Sequence, residues 1–274
     1  MKGVAANFQE WSLDFGFRPL IITKPKSQKP IANVDNSRQK NMTHEQDAKT
    51  YLLGASAISI VLSFIPFAGF LVYPFKLFVT FIHEGGHALA ALGTFGSVER
   101  IAINPDTSGL TLSLGGMPII ISSAGYLTST LFGAALLLIG RNGKHAKTAL
   151  GLIAVLILAL TLVWVKGIFG LIVGVGLTAV LILFAAAANP KVAHFFLSFL
   201  AVQCCLNALY DLKTLFLISA ITSQSSDAVN MQRLTFIPAM VWALLWLGMS
   251  LVVLWVTLKT YFRRNDTVNG IDHG

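Results

Sequence analysis

The sequence has few charged residues. Asp, Glu, Lys and Arg make up 12% of the 274 residues, whereas a soluble domain carries about 25%. Hydrophobic residues account for 55%, which excludes intrinsic disorder and argues against an ordinary soluble domain. The charge that remains is basic, with 20 Lys and Arg against 12 Asp and Glu. In so apolar a chain this excess is typical of Lys and Arg at the ends of membrane helices, so we expect no nucleic-acid partner.

Cysteine is also scarce. The two cysteines, Cys204 and Cys205, are adjacent and lie in an apolar stretch. This arrangement excludes a secreted-type disulfide framework and a C-x-x-C metal knuckle. We expect both thiols to be buried as small apolar side chains.

Long hydrophobic runs are abundant, and they extend almost without interruption from residue 51 to about 259. Each is long enough, or nearly so, to cross a hydrocarbon core of about 30 Å. The segments fall near 51–73, 76–92, 119–140, 148–165, 168–188, 194–218 and 237–259. The sequence therefore predicts an all-α integral membrane protein with six to seven transmembrane helices. We expect it in a bacterial inner or plasma membrane or in an organelle membrane.

The apolar region, residues 51–260, is predicted to be one transmembrane domain between two polar tails. Residues 1–50 are polar and rich in Ser, Gln, Asn and Lys from residue 24 onward, so we expect a flexible basic tail. Residues 261–274 form a short polar C-terminal tail. Within the domain, Gly170 and Gly174 have the GxxxG spacing that lets another helix approach closely.

A different pattern follows the second apolar segment. Apolar residues alternate with polar ones around residues 98–103 and 110–114, on both sides of the turn-rich hexapeptide 104–109. Period-two alternation on either side of a turn predicts a β-hairpin. Because an open sheet edge cannot face lipid, we expect this hairpin in the interface, within protein or along a wet cavity.

Ionisable residues are concentrated at one place in the second segment. His83 and His87 are four residues apart and share a helix face, and Glu84 lies on the same turn. This is H-E-x-x-H, in which two imidazoles hold a metal ion and the carboxylate acts as general base. Two histidines packed without metal are the alternative, but each buried ionisable group would cost about 2–3 kcal/mol if left uncompensated.

Zinc sites of this kind need a third protein ligand. Among the few candidates after residue 50, only Asp211 lies well inside a predicted membrane helix, where it shares a polar stripe with Cys204 and Asn207. We therefore predict Asp211 as the third ligand. Alternatively, Asp211 binds no metal and forms an ion pair with Lys213 or Lys76. Asp227 is assigned to a Ser-rich loop.

These residues resemble the site-2 proteases, a family of intramembrane zinc metalloproteases, and in particular its compact bacterial and plant-type members. The resemblance covers residues 75–125 and the region around Asp211. Residues 93–109 resemble the β-rich segment that follows the catalytic helix in that family, and Ser123-Ala124-Gly125 resembles its Ala-Gly-Pro element. Three positions depart from the family pattern. Tyr126 replaces a proline, Ser129 replaces an asparagine, and Leu212 replaces the glycine that usually follows the aspartate.

The residues and the resemblance lead to the same functional expectation, a zinc endopeptidase that cleaves transmembrane segments of other membrane proteins. His83, His87 and Asp211 are the expected ligands, with Glu84 as the base. Asn207, Ser129 and Gly125 are candidates for binding the oxyanion or positioning the substrate. Leu110, Thr111 and Leu112 are the candidate edge for substrate strand addition.

Two other functions remain open at this stage. The departures at Tyr126, Ser129 and Leu212 suggest a catalytically silent relative that acts as a membrane scaffold. The ionisable residues at membrane depth also suit a transporter of protons or divalent cations. The inverted repeats that are typical of many transporters are not evident in the sequence.

Overall fold

The computed structural model describes residues 31–65, 69–141, 143–221 and 226–263. Two compact units are distinguished, Met1–Lys40 and Asn41–Gly274, and the tertiary contacts, the hairpin and the cavity described below belong to the second. The elements in chain order are α1 (Ile31–Phe64), α2 (Gly69–Gly93), β1 (Ser97–Ile103), β2 (Gly109–Leu114), α3 (Pro118–Gly140), α4 (Ala146–Val163), α5 (Ile168–Ala186), α6 (Pro190–Ile221), α7 (Asp227–Thr235) and α8 (Ala239–Phe262). The predicted fold class, an α-helical membrane protein with a small hairpin after the H-E-x-x-H helix, is confirmed.

Five of the described helices are long and apolar enough to cross a membrane, fewer than the six to seven predicted. They are α3, α4, α5, the Pro190–Leu212 part of α6, and α8. Helix α2 falls short because Lys76, Glu84 and the two histidines interrupt its apolar sequence. In α1, the first 20 residues, from 31 to 50, are mostly polar, and this leaves a short apolar part.

The predicted flexible tail, residues 1–50, is only partly described, because residues 1–30 lie outside the described part. From Ile31 onward the chain is helical, whereas the sequence-based prediction is a flexible segment up to residue 50. Tertiary contacts hold the end of this region. The Ala48 carbonyl accepts a hydrogen bond of 2.9 Å from the Tyr261 hydroxyl, and Ala48 itself is fully buried.

Small residues bring the helices close together. A Cβ on Gly174 would collide with Thr161 of α4, and one on Gly133 of α3 would lie 2.7 Å from the Cys205 sulfur of α6. The close approach predicted for the GxxxG pair is therefore confirmed at Gly174. Both cysteines are buried, as expected.

The hairpin lies along α2. Strands β1 and β2 are antiparallel, with Ile101 opposite Thr111 and Ile103 opposite Gly109. The Thr80 hydroxyl donates to the Thr107 carbonyl over 2.7 Å, and the Tyr73 hydroxyl donates to the Pro105 carbonyl over 2.7 Å. The hairpin turn is therefore anchored beside the first half of α2.

One edge of the hairpin is covered and the other is open. The backbone N–H of Ile101 donates to the Trp164 carbonyl over 2.8 Å, and its carbonyl accepts from the Lys166 N–H over 2.9 Å. Strand β1 is thus bonded on both sides. Among the described residues, β2 pairs with β1 alone, so its outer edge has no partner strand.

A second hydrophobic cluster holds the short helix α7. Ser226 caps the helix, and its hydroxyl accepts a hydrogen bond of 3.3 Å from the Val229 N–H. Apolar side chains of α7 then pack between the end of α6 and the start of α8. The cluster consists of Leu212, Leu215, Ala228, Val229, Met231, Ala239, Ala243 and Trp246. The first residue of α7, Asp227, is thereby fixed in place.

Candidate metal centre

The two histidines of α2 meet as their spacing predicts. The Nε2 atoms of His83 and His87 are 3.1 Å apart. The Nδ1 atom of His87 lies 2.7 Å from the Ile121 carbonyl, which can only accept a hydrogen bond. His87 therefore carries its proton on Nδ1, and its Nε2 lone pair is free for a metal ion, as in most histidine metal ligands.

The carboxylate that completes this pair is Asp227, not Asp211. The Asp227 Oδ2 atom is 3.5 Å from the Nε2 of His83 and 3.3 Å from that of His87. These three residues form a group that could hold a metal ion, and Asp211 is not part of it. The predicted third ligand is therefore not the one that the structure brings to the histidines.

The spacing of the three ligand atoms suits zinc. A tetrahedral zinc ion with bonds of about 2.0–2.1 Å separates its ligand atoms by about 3.3–3.4 Å. The separations found here, 3.1, 3.3 and 3.5 Å, bracket that value. Two imidazoles and one carboxylate are also a donor set typical of catalytic zinc. The residues present therefore fit the ion.

The charge state of Asp227 agrees with this role. Burial would raise the pKa of the Asp227 carboxyl, but the close contacts with His83 and His87 outweigh burial and hold the pKa well below its usual range. The carboxyl is therefore ionised, and a metal ligand must be in that form.

Space beside the ligand atoms is provided by Gly125 of α3. A Cβ at this position would lie 2.5 Å from the Nε2 of His87 and would collide with the Nε2 of His83. Only glycine leaves that volume open. Gly125 was predicted to bind the oxyanion or position the substrate, and the structure places it against the nitrogen atoms of His83 and His87.

Glu84 is buried next to the histidines. Only 5% of its surface is exposed, and its Oε2 accepts a hydrogen bond of 2.7 Å from the Thr111 hydroxyl of β2. On the other side of the carboxylate, a Cβ on Gly109 would collide with Oε1. The hairpin therefore fixes the orientation of the predicted base.

A cavity of about 980 Å³ opens onto these groups. Its walls come from α2, the hairpin, the start of α3, the end of α6 and α7. Glu84, Asp106, Asp211 and Asp227 line it, together with the guanidinium-bearing Arg233. Asp211 is exposed at this wall and lies within electrostatic range of His83 and Lys76.

The two predicted oxyanion donors lie elsewhere. The Ser129 hydroxyl donates to the Gly125 carbonyl over 3.1 Å, and the Asn207 amide donates to the Gln203 carbonyl over 3.0 Å. Each side chain is thus bonded to a carbonyl four residues back on its own helix. Neither residue lines the cavity, so the structure does not support the roles predicted for them.

Tyr126 and Leu212 are the two other departures from the family pattern, and both side chains are packed against neighbouring residues. The Tyr126 ring packs edge-on against His83, with 4.7 Å between centroids, and stacks on Trp246 at 5.4 Å. Leu212 is fully buried in the cluster that holds α7. Both residues therefore support the position of the metal ligands.

In the sequence analysis Asp227 was set aside as part of a Ser-rich loop. Ser226 followed by an acidic residue is a helix-start signal, because a serine caps the first turn and a carboxylate favours the positive end of the helix dipole. That signal predicts α7 but does not indicate which element the helix packs against.

Comparison with known proteins adds the family. No curated protein and no solved structure matches the chain significantly. The family model described as Peptidase M50B-like matches residues 53–257, about three quarters of the chain. That range includes all the residues of the candidate metal centre, and membership implies a membrane metalloprotease. The chain belongs to the Peptidase M50B-like family.

Proposed function

We propose that the protein is a zinc endopeptidase that hydrolyses peptide bonds within the transmembrane segments of other membrane proteins. The observation that supports this most is the placement of three ligand atoms, 3.1–3.5 Å apart, beside the buried carboxylate of Glu84. His83, His87 and Asp227 are the proposed ligands, and Glu84 is the proposed general base.

Each of these residues has a defined task. When bound, zinc lowers the pKa of water from about 15.7 toward 7 and polarises the carbonyl to be attacked. Glu84 takes the proton from the attacking water and later delivers it to the leaving amine. The Thr111 hydroxyl, bonded to one carboxylate oxygen of Glu84, leaves the other oxygen available for that proton.

The open edge of β2 is the proposed binding site for the substrate backbone. The backbone groups of Ile101 point away from β2, so Thr111 opposite it directs its own N–H and carbonyl to the outer edge. By alternation Gly109 and Ser113 do the same, whereas Leu110 and Leu112 bond to β1. All five residues line the cavity, which supports a wet environment for this edge. An unwound transmembrane segment would add here as a further strand.

Proline at Ser113 tests strand addition. Because the Ser113 N–H points outward, proline removes a donor for the substrate without removing a hydrogen bond to β1. One lost hydrogen bond of about 1–1.5 kcal/mol lowers kcat/KM by about tenfold. Cleavage assays on purified Ser113→Pro, with zinc content measured in parallel, check this.

Ser113→Ala is the matched control, because it keeps the backbone N–H and loses only the hydroxyl. We expect its kcat/KM to equal that of the wild type. Wild-type turnover by the proline variant, with normal zinc content, would rule out backbone pairing at this position.

Metal removal tests the proposed function as a whole. The purified protein is expected to hold about one equivalent of zinc, because a three-ligand site retains its metal. Chelation should abolish cleavage of a transmembrane substrate in detergent or proteoliposomes, and added zinc should restore it. Less than one equivalent of zinc together with no cleavage would favour a silent scaffold instead. Zinc accumulation inside proteoliposomes would favour a transporter.

A further inference from the structure

A peptidase needs a hydrogen-bond donor for the oxyanion that forms when water attacks the scissile carbonyl. In this protein the two donors predicted from the sequence, Ser129 and Asn207, are bonded to their own helices and do not line the cavity. The need for such a donor rests on the proposed function, and a different side chain of the cavity wall can meet it.

Tyr126 follows directly after Gly125, the residue that leaves space beside the ligand nitrogens. It lines the cavity together with His83, Glu84 and Asp227. Two contacts hold its ring, a T-shaped contact with His83 at 4.7 Å between centroids and a stacked contact with Trp246 at 5.4 Å. Trp246 is itself 2% exposed, so the ring rests on a rigid surface.

Tyr126 shares the cavity wall with the acidic residues Glu84, Asp211 and Asp227. It lies within electrostatic range of the carboxylates of Asp227, Asp211 and Glu84. Among the described residues, no hydrogen-bond partner of this hydroxyl is found. A tyrosine hydroxyl that is shielded from bulk water usually has a partner in the protein. Tyr126 is half-buried and lines the cavity, so its hydroxyl is available to a molecule bound there.

We propose that the Tyr126 hydroxyl donates a hydrogen bond to the oxyanion of the tetrahedral intermediate. The water oxygen bonds to the carbonyl carbon while its proton passes to Glu84, and the carbonyl oxygen gains the negative charge. Tyr126 keeps its proton and donates the hydrogen bond to that oxygen. When the intermediate collapses, the C–N bond breaks, and Glu84 passes the proton to the departing amine.

Tyr126→Phe tests this role. Phenylalanine keeps the contacts with His83 and Trp246 and lacks the hydroxyl. Loss of one oxyanion donor lowers kcat by about 10²-fold. We expect that decrease with KM within about twofold of wild type and with zinc content unchanged. Tyr51→Phe is the matched control, because Tyr51 packs on His194 and Phe195 and does not line the cavity.

Equilibrium binding supplies a second readout that does not require turnover. A phosphinic peptide carries a tetrahedral group that resembles the intermediate. Tyr126→Phe should weaken its binding by about the same factor by which kcat falls, and Tyr51→Phe should leave it unchanged.

The outcomes separate this inference from the proposed function. Wild-type kcat and wild-type phosphinic peptide affinity in Tyr126→Phe would overturn the role of the hydroxyl, while zinc-dependent cleavage by the wild type would leave the proposed function intact. A wild-type protein with no zinc-dependent cleavage would overturn both. A decrease that appears as raised KM or lost zinc would assign Tyr126 a packing role and overturn its role as a donor.

Discussion

Replacement of Glu84 by glutamine is expected to lower kcat by about 10²–10⁴-fold, the range that a general base contributes. Glutamine has nearly the same shape, and its amide oxygen can still accept the hydrogen bond from the Thr111 hydroxyl. It cannot take a proton from water. Because Glu84 is not one of the three proposed ligands, the variant should retain about one equivalent of zinc.

Asp106→Asn is the matched control for this change. It also converts a carboxylate into an amide at the wall of the same cavity, but its oxygen accepts hydrogen bonds from the Ser108 hydroxyl and N–H, 2.6 and 3.0 Å away. We expect near wild-type kcat from it. Steady-state cleavage of a transmembrane substrate and metal analysis of each purified variant decide the question. Normal turnover by the Glu84→Gln variant would contradict the assignment of Glu84 as base.

Asp227→Ala is expected to lose zinc and, with it, cleavage. The carboxylate is 3.3–3.5 Å from both imidazole nitrogens, so its removal leaves two ligands. The loss of a direct ligand should lower zinc affinity by more than about 100-fold, the upper end of what an outer-sphere partner costs. The Ser226 cap and the apolar contacts of α7 remain, so the fold should persist. Zinc titration measures the affinity of the variant for the ion, and circular dichroism checks that the variant is still folded.

Asp211→Ala provides the comparison that distinguishes the two acids. Asp211 is exposed at the cavity wall and lies outside the ligand group, so we expect this variant to keep its zinc. The reverse pattern, with zinc lost from Asp211→Ala and kept by Asp227→Ala, would return the third ligand to α6 and refute the site described above.

Local spacing was sufficient to predict part of this site. His83 and His87 share a face because a helix repeats every 3.6 residues. The alternation around residues 98–114 predicts the hairpin because successive side chains of a strand point to opposite faces of the sheet. Both patterns are confirmed in α2 and in the two strands. Neither requires knowledge of how distant elements pack.

The third ligand could not be predicted in this way. Asp227 is 140 residues from His87, and it reaches the site because apolar residues of α6, α7 and α8 hold a short helix against α3. Asp211 was preferred because it lies deep within an apolar helix, but membrane depth does not indicate the direction in which a side chain points. The hydrogen bonds of Asn207 and Ser129 could not be predicted for a further reason, since both side chains can bond to carbonyls of their own helix.

The position of Gly125 along α3 has a consequence for the products. It is the eighth residue of a 23-residue membrane helix that begins at Pro118. At 1.5 Å per residue it lies about 10 Å from one end of α3 and about 22 Å from the other. The candidate site therefore lies much nearer to one end of this helix than to the other. Under the proposed function, we expect cleavage at that level to divide a transmembrane substrate unequally, into a short stub and a longer piece that stays anchored in the bilayer.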